Sequence, residues 1–224
     1  MMKQSKDRKQ TALLYAIAFF IFSQNVAAQR FGAGAVVGLN MSQLTGDLNV
    51  GYHKPSWTAG VRGTTRLDQR IDLSLEILYS GRGSRPRLFP KGDTLEFDIS
   101  MEYVSVPLMI HILDWKANKD ENDRFYYVHF ETGLMYSRLF RTSINSRGNK
   151  FIEPLAQNIT LFSPHDWSWV VGLSGHLTRH WAIELRFTQS LNNILSYDKN
   201  PTVLSPLQPY LRGYFVTLQA VYML

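Results

Sequence analysis

The sequence predicts an all-β fold: an eight-stranded antiparallel up-and-down transmembrane β-barrel. Three observations predict it. Eight runs of residues alternate apolar and polar side chains. The connections between those runs alternate long and short, beginning and ending long. Tryptophan and tyrosine collect at the two ends of the apolar phase, where a bilayer meets water.

The runs follow in order. Phe31–Ser42 puts Phe31, Ala35, Val37, Leu39 and Met41 on one face, with Gly34, Gly38, Asn40 and Ser42 on the other. Trp57–Leu67 sets Trp57, Ala59 and Val61 against Thr58, Arg62, Thr64 and Arg66. Ile71–Gly81 sets Leu73, Leu75, Ile77 and Tyr79 against Asp72, Ser74 and Glu76. Ser100–Leu113 carries Val104, Val106, Leu108, Ile110 and Ile112 in phase. Phe125–Ser137 opposes Val128, Phe130 and Leu134 to His129 and Glu131, and Trp167–Leu177 opposes Trp169, Val171 and Leu173 to Ser174 and His176. Trp181–Leu191 and Arg212–Leu224 complete the set, with Glu184, Arg186, Thr217 and Gln219 on the polar side. Each run has the roughly 10–14 residues that a tilted strand needs to cross hydrocarbon.

The short connections are Asp68–Arg70, Asp114–Asp123 and Thr178–His180. The long ones are Gln43–Ser56, Arg82–Ile99, Arg138–Asp166 and Asn192–Leu211. Short periplasmic turns and long outer loops are the rule in outer-membrane barrels. An even number of strands then leaves both termini periplasmic. On this topology Trp57, Tyr79, Tyr136, Trp169 and Tyr214 form an outer aromatic girdle, and Tyr126, Trp181 and Tyr222 an inner one. A soluble sandwich or lipocalin-like barrel would turn the same apolar phase inward.

Residues 1–28 read as a cleaved signal peptide, which leaves residues 29–224 as the barrel domain. Lys3, Lys6, Arg8 and Lys9 precede an apolar stretch, Thr11–Phe22, that is too short to span a bilayer, and Val26-Ala27-Ala28 supplies the small residues of a cleavage site. Half of the formal charge of +6 lies in that segment. The remaining excess is mild and no argument for a nucleic-acid partner. The chain has no cysteine, which excludes disulfides, lipid attachment through a lipobox and thiolate metal sites. A mean hydropathy of −0.17 fits a barrel, whose strands show lipid only every second residue.

The polar phase holds Arg62, Arg66, Asp72, Glu76, Glu131, Glu184 and Arg186. With Asp68–Arg70 as a three-residue turn, Arg66 falls opposite Asp72 and Arg62 opposite Glu76, so opposite charges meet across the hairpin. Eight strands enclose just enough room for side chains to fill, so these charges are expected to form a lumen ion-pair network, not an open pore. Pro107 lacks a ladder donor and is expected to cause a bulge or a break in pairing.

No catalytic, cofactor-binding or metal-ligating motif stands out. His111, His129 and His176 share the inner phase without a ligand spacing, and Ser163, His165 and Asp166 are too close in sequence for a triad. Arg82, Arg85, Arg87 and Lys91 in the second long loop, and Arg138, Arg141, Arg147 and Lys150 in the third, make basic patches suited to lipopolysaccharide phosphates or an acidic partner.

Several short motifs resemble the PorT-type outer-membrane β-barrel family of Bacteroidota. They are Gly38-Leu39-Asn40-Met41-Ser42, Glu76-Ile77-Leu78-Tyr79-Ser80, Tyr103-Val104-Ser105-Val106-Pro107-Leu108, Glu131-Thr132-Gly133 and the Tyr222-centred end. The chain departs from that pattern in ending on Leu224 and not on an aromatic residue. The resemblance implies an eight-stranded outer-membrane barrel and a link to type IX protein secretion. The function expected is therefore a non-enzymatic outer-membrane barrel whose outer loops bind an envelope or secretion-machinery protein. A narrow small-solute channel is the alternative, and a lipid-modifying enzyme using loop residues such as His165 is a third.

Overall fold

Residues 31–45, 54–85, 96–116, 126–147, 162–195 and 211–224 are described in the computed structural model. Residues 1–28, read from the sequence as a signal peptide, lie outside them. Eight strands follow in chain order: β1 (Phe31–Thr45), β2 (Lys54–Arg66), β3 (Ile71–Ser84), β4 (Glu96–Lys116), β5 (Tyr126–Arg147), β6 (His165–His176), β7 (Trp181–Ser190) and β8 (Arg212–Met223). Each neighbours the next and β8 returns to β1, closing the barrel with Gly34 opposite Met223 and Thr45 opposite Arg212.

The wall is apolar outside and polar inside. Val61, Ile77, Leu108, Leu134, Leu173, Leu185 and Leu218 are exposed, while Arg62, Glu76, Glu131, Glu184 and Arg186 are buried. In water such a surface would be unstable, because removing apolar area from water is the main driving force for folding. In hydrocarbon the same surface is matched to its solvent, and the closed ladder leaves no unpaired strand edge.

Two three-residue turns set the register at one end. Leu67 and Asp68 donate to the Ile71 carbonyl at 2.9 and 3.1 Å, and Leu177 and Thr178 donate to that of Trp181 at 2.9 and 3.2 Å. The first turn places Arg62 opposite Glu76 and Arg66 opposite Asp72.

The long-loop end differs from the sequence expectation. β4 and β5 run for 21 and 22 residues and stay paired out to Glu96 opposite Arg147. Segments assigned to loops, among them Arg82–Ser84, Glu96–Ile99 and Arg138–Arg147, are strand. The apolar alternation fades there as charged and hydroxyl residues replace aliphatic ones, yet backbone pairing continues without it.

Pro107 breaks pairing without a bulge. It lies opposite Met135 on β5, but the β3 ladder passes from Leu75–Leu108 to Leu78–Ser105 with no pair between, and the register is unchanged across the gap. The bulge falls elsewhere: Glu102 opposes Arg141 and Tyr103 opposes Leu139, so Phe140 is the extra residue on β5. Gly83 holds a φ of 151°, and a Cβ there would meet the Ile99 carbonyl oxygen at 1.9 Å. That backbone favours glycine.

Candidate functional site

The centre of the lumen is occupied by five charged side chains from four strands. Arg62 donates to Glu76 at 2.7 Å through Nε and to both oxygens of Glu184 at 2.6 and 2.5 Å. Arg186 donates to Glu131 at 2.8 Å and to both oxygens of Glu76 at 2.9 Å, and its guanidinium lies 3.0 Å from Glu184. Gln219 adds a donor to Glu184 at 2.7 Å. Arg66 and Asp72 pair at 2.9 Å nearer the short turns, where both are partly exposed. The expected hairpin pairs are thus present. The contacts of Arg62 with Glu184 and of Arg186 with Glu76 cross the lumen, and pairing rules between adjacent strands do not reveal them.

A second tier lies toward the long loops. Arg82 is not a loop residue: it continues the inward phase of β3 and is buried. It donates to Asp166 at 2.8 Å and to Ser105 and Ser137 at 2.8 Å each, between the rings of Tyr103 and Phe215 at 4.7 and 4.4 Å. The signal for it was its even spacing from Asp72 and Glu76. Asn40, also overlooked, donates to Ser80 and Gly81 at 3.1 and 2.9 Å and accepts from Thr217 at 2.7 Å. Above Arg82, Leu44, Ile99, Met101, Tyr103, Leu139, Phe162, Ile194, Leu195 and Leu211 form one apolar cluster. The cavity bounded by Asn40, Thr58, Arg186 and Thr217 measures about 20 Å3, room for one water.

The other basic residues divide. Lys54 and Arg85 both pair with Asp98, the latter at 3.0 Å, so two cations at this corner of the rim share one carboxylate. Arg138 and Arg141 stand exposed on β5 itself, and Arg147 ends that strand. Arg87, Lys91 and Lys150 lie outside the described residues.

The girdle aromatics sit on the outer face. Trp57 stacks on Tyr79 at 4.2 Å, Tyr136 packs on Trp167 at 5.0 Å and Trp181 on Tyr222 at 4.9 Å. Trp169 donates to Thr132 at 3.2 Å, the Tyr126 hydroxyl reaches the Gln69 carbonyl at 3.5 Å, and Tyr214 is half-buried opposite Gln189. Phe140 and Trp167 join the aromatic band at the long-loop end unannounced.

Among the described residues the candidate catalytic and metal-binding groups do not come together as a site. His165 faces outward, with Nδ1 2.7 Å from the Tyr136 hydroxyl, while Asp166 faces the lumen, so Ser163, His165 and Asp166 make no triad. His111 bonds Ser74 at 2.6 Å, and the rings of His129 and His176 lie 3.9 Å apart. Among the described residues no group of His, Asp and Glu is placed to hold a metal ion.

A closed eight-stranded wall, lipid-suited outside and ion-paired inside, meets a family match over residues 22–196, to the outer membrane protein beta-barrel domain. The chain belongs to that family. Solved structures match the chain at low identity. Ail, the attachment invasion locus protein of Yersinia pestis, is 11% identical, with 86% of this chain and 98% of that one covered and a TM-score of 0.43. Neisserial surface protein A is 8% identical over 87% and 98%, with a TM-score of 0.44. Acinetobacter baumannii CarO2 is 11% identical over 87% and 98%, with a TM-score of 0.46. No curated protein matches the sequence.

Proposed function

We propose that this outer-membrane barrel is a non-conducting, non-enzymatic scaffold that presents its long-loop end to a protein partner of the cell envelope. One observation carries the reading: the lumen is filled at three successive levels, by the Arg62–Glu76–Glu131–Glu184–Arg186 network, by Arg82 with Asp166, and by the apolar cluster around Tyr103. A solute would have to displace paired charges that hold one another in low dielectric. The working surface is then the end where β4 and β5 extend and the long connections gather. The orientation follows from loop length, with short turns and both termini in the periplasm. The PorT-like motifs, Tyr103–Leu108 foremost, support a role as an accessory of type IX secretion in a bacteroidotal envelope, with lipopolysaccharide as the surrounding lipid.

The test has two parts. Purified wild-type protein in a planar bilayer is expected to give no unitary currents; stable single-channel steps would replace the scaffold reading with a channel. A photo-reactive residue in place of Arg85, at the long-loop rim, is expected to cross-link one envelope protein in intact cells. The same residue in place of Arg70, at the short turns, is expected not to. Equal adducts from both ends would contradict the proposed working surface.

A further inference from the structure

We infer that Arg138, Arg141 and His165 form a binding site for a phosphate group of lipid A on the outer wall of the barrel. The inference rests on the orientation proposed above, in which the long-loop end faces the outer leaflet.

The placement of Arg138 carries it. Arg138 is exposed on β5, between Tyr136 and Phe140 at the positions two residues before and after it. Residues two apart on a strand share a face, so its guanidinium leaves the wall within the aromatic girdle and not above it. Phe140 packs toward Tyr79 at 6.1 Å and Tyr136 against Trp167 at 5.0 Å, which makes the girdle continuous on both sides. An arginine cannot shed its charge. At the edge of hydrocarbon an anion stabilises it, and no hydrogen bond or ion pair within the described residues supplies one to exposed Arg138.

The bulge at Phe140 brings a second cation to the same face. In an unbroken strand Arg141 would point with Leu139 into the barrel. The extra residue turns it outward beside Phe140, where its side chain is 71% exposed. Among the described residues its ion-pair partner is Glu102 at 3.7 Å, a loose pair in which the arginine is largely exposed, so most of its donors stay available there. His165 stands directly opposite Arg138 on β6. Its Nδ1 is engaged by the Tyr136 hydroxyl at 2.7 Å, which fixes the ring and leaves Nε2 without a partner among the described residues.

Two forked guanidiniums and an imidazole on one face suit a phosphate, whose oxygens accept several charge-assisted bonds at once. Among outer-leaflet lipids, lipid A carries phosphates at the level where acyl chains meet the headgroup, which is the level of the girdle.

Refolded full-length protein in detergent would be titrated with lipopolysaccharide, with the same lipopolysaccharide stripped of its lipid A phosphates, and with phosphatidylglycerol, and bound lipid read by native mass spectrometry. Retention of intact lipopolysaccharide is expected to fall on the order of tenfold in Arg138→Gln/Arg141→Gln. It is expected to be unchanged in Arg179→Gln at the opposite end. Heat-modifiable migration confirms that each variant is folded. Equal retention by wild type and the double variant, or equal binding of the phosphate-free lipid, would overturn the site. Equal binding of phosphatidylglycerol would assign it to phospholipid and overturn the lipid A assignment. Orientation is checked separately, by labelling Arg85→Cys in intact cells with an impermeant maleimide, so that failure there leaves the binding result readable.

Discussion

Arg186 is the member of the lumen network whose loss should cost most, and the structure sets the size of the effect. Its guanidinium donates to Glu131 and twice to Glu76, and lies within 3.0 Å of Glu184. All four side chains are nearly or fully buried. Arg186→Leu leaves three carboxylates facing Arg62 alone. Breaking a buried pair by removing one partner costs about 3–5 kcal/mol, and the threefold partnership argues for about 4 kcal/mol. That is roughly a thousandfold in the folded-to-unfolded ratio. Arg66→Leu is the internal control. Its pair with Asp72 is about a quarter exposed, so its loss should cost under about 1 kcal/mol. Urea titration of each refolded variant in lipid vesicles, followed by tryptophan emission, measures both. Glu131 has Arg186 as its salt-bridge partner, and its Oε1 is buried without a hydrogen bond. The double variant Arg186→Leu/Glu131→Leu should therefore recover about 1–2 kcal/mol of the loss. If Arg186→Leu proves as mild as Arg66→Leu, the network does not hold the barrel together.

Two further outcomes follow from local geometry. A Cβ on Gly133 would meet the Leu108 carbonyl oxygen at 2.1 Å, so Gly133→Ala should destabilise by about 1–3 kcal/mol, whereas Gly63→Ala, whose nearest atom lies 3.9 Å away, should be close to neutral in the same titration. Leu185 is exposed on the outer wall next to buried Glu184, and Leu185→Arg should cost about 2–4 kcal/mol in bilayers because it places a charge in hydrocarbon.

The sequence was most readable where lipid imposes a period of two. Eight strands, their order and the Arg62–Glu76 register followed from alternation and one three-residue turn, because a slip of one residue would put Arg62 and Glu76 into lipid. Legibility ended with the hydrocarbon. Toward the long loops, strand residues such as Asp98 and Arg141 have no apolar phase to betray them, so Arg82 and Arg138 fell within segments read as loops. Contacts across the lumen were hidden for another reason. Arg62 meets Glu184 from a strand five positions further along the chain, and only the closed wall brings them within 2.6 Å. The bulge at Phe140, which decides where Arg141 points, has no glycine or proline to announce it. Pro107, by contrast, sits where the ladder can lose a donor without shifting register.

The central claim is that the apolar phase of the wall faces acyl chains. A nitroxide scan along β7, from Trp181 to Ser190, in reconstituted bilayers tests it most directly, with oxygen as the lipid-soluble relaxant and a nickel chelate as the aqueous one. The account expects oxygen accessibility to peak at positions 181, 183, 185 and 187 and to fall at 182, 184 and 186. Peaks at 182, 184 and 186, or nickel access at 183 and 185, would contradict it.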